Sequence, residues 1–312
     1  MTSSKEAKFA VLAFILLTVS AGPCPAGDRN GRIAFVKGAN VYTTTPDGAN
    51  IHQLTKLDPG GFAELPSWEP DNGQIVYTAK LPDIPRQLWI MNANGRNQHR
   101  LLDDPGHDNT AGSFSPDGQS IIFSRCEAHA HGACAIHLVG IDGTGLSAIT
   151  PFQAGVVDFS PVFSPDGRTV AFERSGPDGV PAIYSIGVDG SRIRRLTRPG
   201  VAARHPSWSP DGSRIALSCN CSDSGGAAIW IIDSGGGEFT QLSSIHATDD
   251  MPAAVDHLFP SWSPDGNFVA VEQRAAGTDP NVFIVNLAGA GPERQRFKRL
   301  IVGRQPSWSQ AP

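Results

Sequence analysis

Histidine and carboxylate side chains are the residues of this 312-residue chain best able to do chemistry, and they are unevenly placed. His107, His205, His246 and His257, with Glu64, Asp158, Asp249, Asp250 and Asp256, fall in segments that interrupt an otherwise regular sequence, as do Arg204 and Arg304. Imidazole and carboxylate gathered at one place can hold a divalent metal or move protons. Mixed with guanidinium, the same groups can present a charge pattern to a partner. Their spacing matches no metal-ligand motif, so the expectation is a ligand- or partner-binding surface with no catalytic residue, no metal and no cofactor.

A second group is Cys126-x-x-His129-x-His131-x-x-Cys134, four soft ligands in nine residues. It can close around zinc, or Cys126 and Cys134 can bridge as a disulfide across one loop between consecutive strands. Export to an oxidising compartment favours the disulfide. Cys219-x-Cys221 is left open between a small ring and free thiols. Ser222–Gly226 (SDSGG) is close to a serine-protease phrase but opens with Ser and reads as a Gly-rich turn. The chain has no G-x-S-x-G elbow, H-E-x-x-H or phosphate loop.

The elements that must position these residues come from a repeat. A Pro-Ser-aromatic-Ser-Pro-Asp-Gly phrase recurs with its aromatic at Trp68, Phe114, Phe163, Trp208, Trp262 and Trp308, at intervals of 46, 49, 45, 54 and 46 residues. Each copy reads as an aromatic strand, a Ser-Pro-Asp-Gly turn, an apolar β-branched strand (IVYTAK, IIFSRC, VAFERS, IALSCN, VAVEQR), a third strand, a Gly turn and a closing strand such as RRLT. Four short strands per period of this length make one propeller blade. The first copy, from Ile33, lacks its opening strand, and Pro306-Ser307-Trp308 supplies one at the far end. The expectation is therefore an all-β, six-bladed propeller whose C-terminal strand closes the first blade like Velcro. In that scheme His137 takes an aromatic slot and packs, His52 and His99 sit on solvated outer strands, and the chemistry-bearing residues lie on connectors between blades, around one mouth of the channel.

Lys5 and Lys8 followed by the apolar run FAVLAFILLTV and small residues give residues 1–26 the layout of a secretory signal, leaving 27–312 as the propeller. The expected location is periplasmic or secreted, with no membrane span in the mature chain. The net charge of −5 offers no basic footprint for nucleic acid or an anionic membrane, and a monomer is expected.

The P-x-[WF]-S-P-D-G, IAF and RRLT phrases resemble those of the TolB propeller family, over about residues 31–312. The resemblance implies a propeller without the α/β domain that precedes it in that family, and a non-catalytic role toward a cell-envelope protein such as a peptidoglycan-associated lipoprotein. Similar repeats occur in oligogalacturonate lyases. They imply the alternative of a metal-dependent polysaccharide lyase or hydrolase acting at the channel mouth.

Overall fold

The structure, a computed structural model, describes residues 31–127, 133–221, 226–242, 255–287 and 297–309. Among these it is all-β, and its strands fall into columns that follow the repeat. The aromatic phrase ends the inner strands β4 (Phe62–Trp68), β8 (His107–Phe114), β12 (Val157–Phe163), β16 (Ala203–Trp208), β20 (Val255–Trp262) and β24 (Arg304–Trp308). The second strands are β1 (Ile33–Lys37), β5 (Gln74–Lys80), β9 (Ser120–Glu127), β13 (Thr169–Ser175), β17 (Arg214–Cys219) and β21 (Phe268–Ala275). The third are β2 (Asn40–Thr44), β6 (Gln87–Asn92), β10 (Cys134–Gly140), β14 (Pro181–Gly187), β18 (Ala228–Asp233) and β22 (Asn281–Asn286). The outer strands are β3 (His52–Gln53), β7 (His99–Arg100), β11 (Ser147–Ala148), β15 (Arg194–Arg195), β19 (Phe239–Gln241) and β23 (Phe297–Val302).

Between inner and second strands the turn chemistry repeats. Ser115, Ser164, Ser209 and Ser263 each donate a hydroxyl hydrogen bond, 2.5–2.6 Å long, to the aspartate two residues on. That aspartate accepts a backbone N–H in turn, for example from Gln119 and Asn267. Each turn thus satisfies its own polar groups, and Gly118, Gly167, Gly212 and Gly266 take the positive φ it requires.

The second strands are apolar on both faces because each lies inside the fold, with packed neighbours on either side. Ile75–Tyr77, Ile121–Phe123 and Val170–Phe172 are all essentially inaccessible to solvent. Each apolar cluster joins two successive four-strand units. Ala34 and Val41 pack with Ile75 and Tyr77, Ala216 and Ile229 with Trp262 and Val271, and Ile33 and Trp308 with Ala270 and Ile284. The inner strands touch in sequence, β4 to β8, β12, β16, β20, β24 and back to β4.

The sheets differ from six separate four-stranded blades in one respect. Four are four-stranded, including the order β24-β1-β2-β3 that brings Trp308 opposite Ile33. The fifth has eight strands, because Cys134 and Val157 form a parallel bridge between β10 and β12 and the Cys134 N–H donates to Val156 O at 3.2 Å. The segment leading into β12 runs close enough to the start of β10 to hydrogen-bond with it. No described helix is long and apolar enough to cross a membrane. Residues 1–26, the expected signal, lie outside the described residues.

Candidate functional site

One feature recurs in every inner strand and is invisible in the repeat phrase. Three residues before the aromatic, the backbone turns left-handed at Leu65, Ala111, Ser160, His205, Phe259 and Gln305, with φ between 50° and 54°. None of the six is glycine, although that conformation strains any side-chain-bearing residue. In β4, β8, β12, β16 and β20 the pairing with the second strand slips at this point, as in Glu64/Ser67 and Arg204/Ser207; in β24 the slip falls between Ala34 and Val36. Each strand therefore carries a β-bulge, a device that re-aims side chains. All six bulge residues line one central cavity of about 550 Å³, together with the two residues that follow each of them, Pro-Ser in four of the six.

Neighbouring units hold the bulges. Thr78 Oγ1 accepts the Ala111 N–H at 3.1 Å, Glu272 Oε2 accepts the Gln305 N–H at 2.9 Å, and the Gln305 side chain accepts the Leu65 N–H at 3.0 Å. The aromatics act similarly. Trp68 and Trp262 donate their indole N–H groups to the carbonyls of Ser307 and Ser207. In the cavity wall the rings of His205 and Phe259 lie against each other, tilted by 33°, with centroids 3.8 Å apart. Burial, reinforced by Arg204 and Arg274, lowers the His205 pKa to about 3, so the ring is neutral at physiological pH.

The residues expected on connectors are instead in strands. Glu64, His107, Asp158, Arg204, His205, Asp256, His257 and Arg304 belong to β4, β8, β12, β16, β20 and β24. The inner strands begin up to seven residues before the aromatic, and the bulge breaks the alternation that would have marked that half as strand. His246, Asp249 and Asp250 lie outside the described residues.

Most of the eight are engaged within the chain. Arg174 grips the fully buried Asp158 with two hydrogen bonds of 2.6 and 2.7 Å. Arg204 reaches Glu173 at 2.6 Å, and burial pushes that carboxyl up to about 7 against the pull of Arg204. Burial also raises the Glu64 pKa, opposed by Arg86 and Arg304, while Arg86 extends to Asp108. His107 Nδ1 is 2.8 Å from Asp104, which also holds Arg125 at 2.8 Å. Asp256 accepts the Ala227 N–H, and the buried His257 ring is 3.2 Å from Gln273 and has its pKa lowered to about 4 by desolvation. Of these eight described residues only His205 lines the cavity. Leu65, Ala111, Ser160, Phe259 and Gln305 were not singled out for it. Their signal is a column that changes from copy to copy three residues before the repeated aromatic.

Cys126 and Cys134 are directly opposite across β9 and β10, Cα atoms 4.1 Å apart, and joined as a disulfide. Cys219 and Cys221 are also brought together, Cα atoms 5.1 Å apart. His129 and His131, the other half of the zinc reading, lie outside the described residues. His137 is buried, 5.4 Å from the Phe152 ring, while His52 and His99 are exposed. Among the described residues no three His, Cys, Asp or Glu side chains gather as a metal site.

A profile of the TolB beta propeller domain matches residues 105–254. The repeats resemble those of the TolB-type β-propeller family. A TolB homolog of Chlorobium luteolum is 29% identical over 183 residues, 59% of this chain and 37% of the relative. The Tol-Pal system protein TolB of Francisella tularensis subsp. holarctica is 26% identical over 140 residues, 44% of this chain and 31% of that protein. The chain thus spans about a third of the length of these TolB-type relatives. In three dimensions it resembles TolB from Acinetobacter baumannii, with a TM-score of 0.72 and 24% identity over 91% of this chain and 68% of the other. That likeness extends to the TolB-type fold.

Proposed function

We propose that residues 27–312 form a six-bladed TolB-type propeller, closed by β24 on β1, exported by the signal at 1–26 and acting as a non-catalytic binding module toward a cell-envelope protein. The closed cycle of inner strands supports the count of six, and the relation to Tol-Pal system proteins supports the kind of partner. The observation that carries the binding role is the bulge ring. Six different side chains occupy one repeat position in a strained backbone conformation, all facing one cavity. A scaffold that holds variable side chains on repeated backbone is suited to recognition. Hydroxyls, proline rings and the His205–Phe259 ring pair line that cavity, and the His205 imidazole is kept neutral. The periplasm is the compartment this reading requires.

Glu64, Asp256, Arg204 and Arg304, on the inner strands ahead of the bulges, form the rim of this site. The test is a titration calorimetry experiment with the soluble domain of a peptidoglycan-associated lipoprotein. Binding that weakens at least about tenfold in a combined Glu64→Arg, Arg304→Glu variant supports the role. No binding by the unaltered protein, or equal binding by the variant, overturns that partner.

A further inference from the structure

The net charge of −5 conceals a local concentration of the opposite sign. The sequence 192–198 reads RIRRLTR, four arginines in seven residues, on and around β15. This strand is a free edge of the eight-stranded sheet. Arg168 joins them, because its carbonyl accepts the Val188 N–H in the adjoining turn. Arg168, Arg192, Arg194 and Arg198 are exposed, and among the described residues none of the five forms an ion pair. Arg195 spends its guanidinium on the carbonyls of Thr197 and Arg198, which anchors the segment. Asp166 and Asp189 in the adjoining turns are held first by the serine and backbone N–H of their own turns and more weakly by the charges of Arg168 and Arg192. The other outer strands carry less positive charge: Arg100 on β7 is paired with Asp103 at 3.0 Å, β23 holds Lys298 and Arg299, and β3, β11 and β19 contain no arginine.

A second observation points to the kind of surface that would meet these cations. Ile193, in the middle of the cluster, is 46% exposed, one of four large apolar side chains left in solvent among the described residues. An apolar side chain ringed by guanidinium groups suits the boundary between lipid headgroups and acyl chains. There arginine forks onto phosphate oxygens while a neighbouring hydrocarbon enters the interface.

We propose that the β15 edge is a docking surface for an anionic phospholipid membrane. Arg168, Arg192, Arg194 and Arg198 contact headgroup phosphates, and Ile193 enters the interfacial layer. The protein lies on the bilayer by this edge. This surface is separate from the cavity and stands whether or not the envelope-protein reading holds.

The test is co-flotation of the purified protein with vesicles of phosphatidylethanolamine containing about 30% phosphatidylglycerol, beside vesicles of phosphatidylcholine alone. Expected is recovery with the anionic vesicles only, weakening as salt rises, at least about tenfold lower for Arg192→Ser/Arg194→Ser/Arg198→Ser and reduced for Ile193→Ser. Circular dichroism of the variants confirms that they fold, as exposed substitutions should. Equal recovery with phosphatidylcholine, or unchanged recovery of the triple variant, overturns the proposal. So does a protein that ignores vesicles but binds an acidic peptide, or inorganic phosphate alone, at the same arginines.

Discussion

The two ends of the four-strand units solve the same problem in opposite ways. At the turn end, the polar groups of Ser115–Gln119, Ser164–Arg168, Ser209–Ser213 and Ser263–Asn267 are satisfied inside each turn, by the same atoms each time. At the connector end the partners vary among the described units, although Glu173 and Glu272 share one strand position and each accepts the N–H of the next unit's bulge residue, His205 or Gln305. Asp158 is held by Arg174, Glu173 by Arg204, Glu272 by Arg274, and Asp104 by both His107 and Arg125. A polar group with local partners can be copied from unit to unit without regard to its neighbours. A carboxylate buried between strands needs a partner from another position, and each unit has found its own.

This contrast can be broken or sharpened by experiment. The largest effect is expected at Asp158→Ala. It strands Arg174 in a mostly buried position and should cost about 3–5 kcal/mol in urea unfolding. A loss no greater than that at a turn aspartate would remove the distinction between the ends. Next is Glu173→Gln. The folded Glu173 carboxyl has its pKa raised from 4.5 to about 7, so the stability it contributes is present below 4.5 and lost as pH rises through 7. His205 and His257, lowered to about 3 and about 4, act the other way, since their stabilisation is lost as pH falls below 6.5. Removing Glu173 should therefore steepen the fall in stability between pH 6.5 and 4.5. A profile parallel to the parent's would show that Glu173 titrates normally.

A smaller effect should follow Phe259→Ala. It opens the cavity wall beside His205, and NMR titration should find that imidazole shifted upward, back toward its ordinary range. An unmoved titration would mean that burial by other groups suffices. The smallest effect belongs to Asp211→Ala at the turn end, about 1 kcal/mol or less in thermal unfolding, because Asp211 is exposed and its partners, Ser209 and Ser213, can turn to water.

The stereotyped end was the legible one. The Ser-Pro-Asp-Gly turns, the apolar second strands and the pairing of Cys126 with Cys134 all follow from local chemistry with a fixed spacing. The connector end was not. The first halves of β16 and β20 carry Arg204, Asp256 and His257 where an alternating strand pattern was sought, and the bulge at His205 or Phe259 shifts that alternation by one residue. Left-handed backbone is usually announced by glycine, and here it is taken by Leu65, Ala111, Ser160, His205, Phe259 and Gln305. The eight-stranded sheet depends on a single bridge between Cys134 and Val157, which no repeat unit encodes. The basic edge at β15 was masked by an average, since net charge sums over surfaces that never meet the same partner.

The pairing of β24 with β1 has a consequence for how the molecule is made. The Arg32 N–H donates to the hydroxyl of Ser309, 277 positions along the chain. No part of that seam can form until nearly all of the polypeptide is available. A chain emerging from an export channel N-terminus first would hold Ile33–Lys37 with one edge unsatisfied throughout its passage. Assembly of this protein would then be timed by its last strand, and shielding of that early edge is where a folding helper would act.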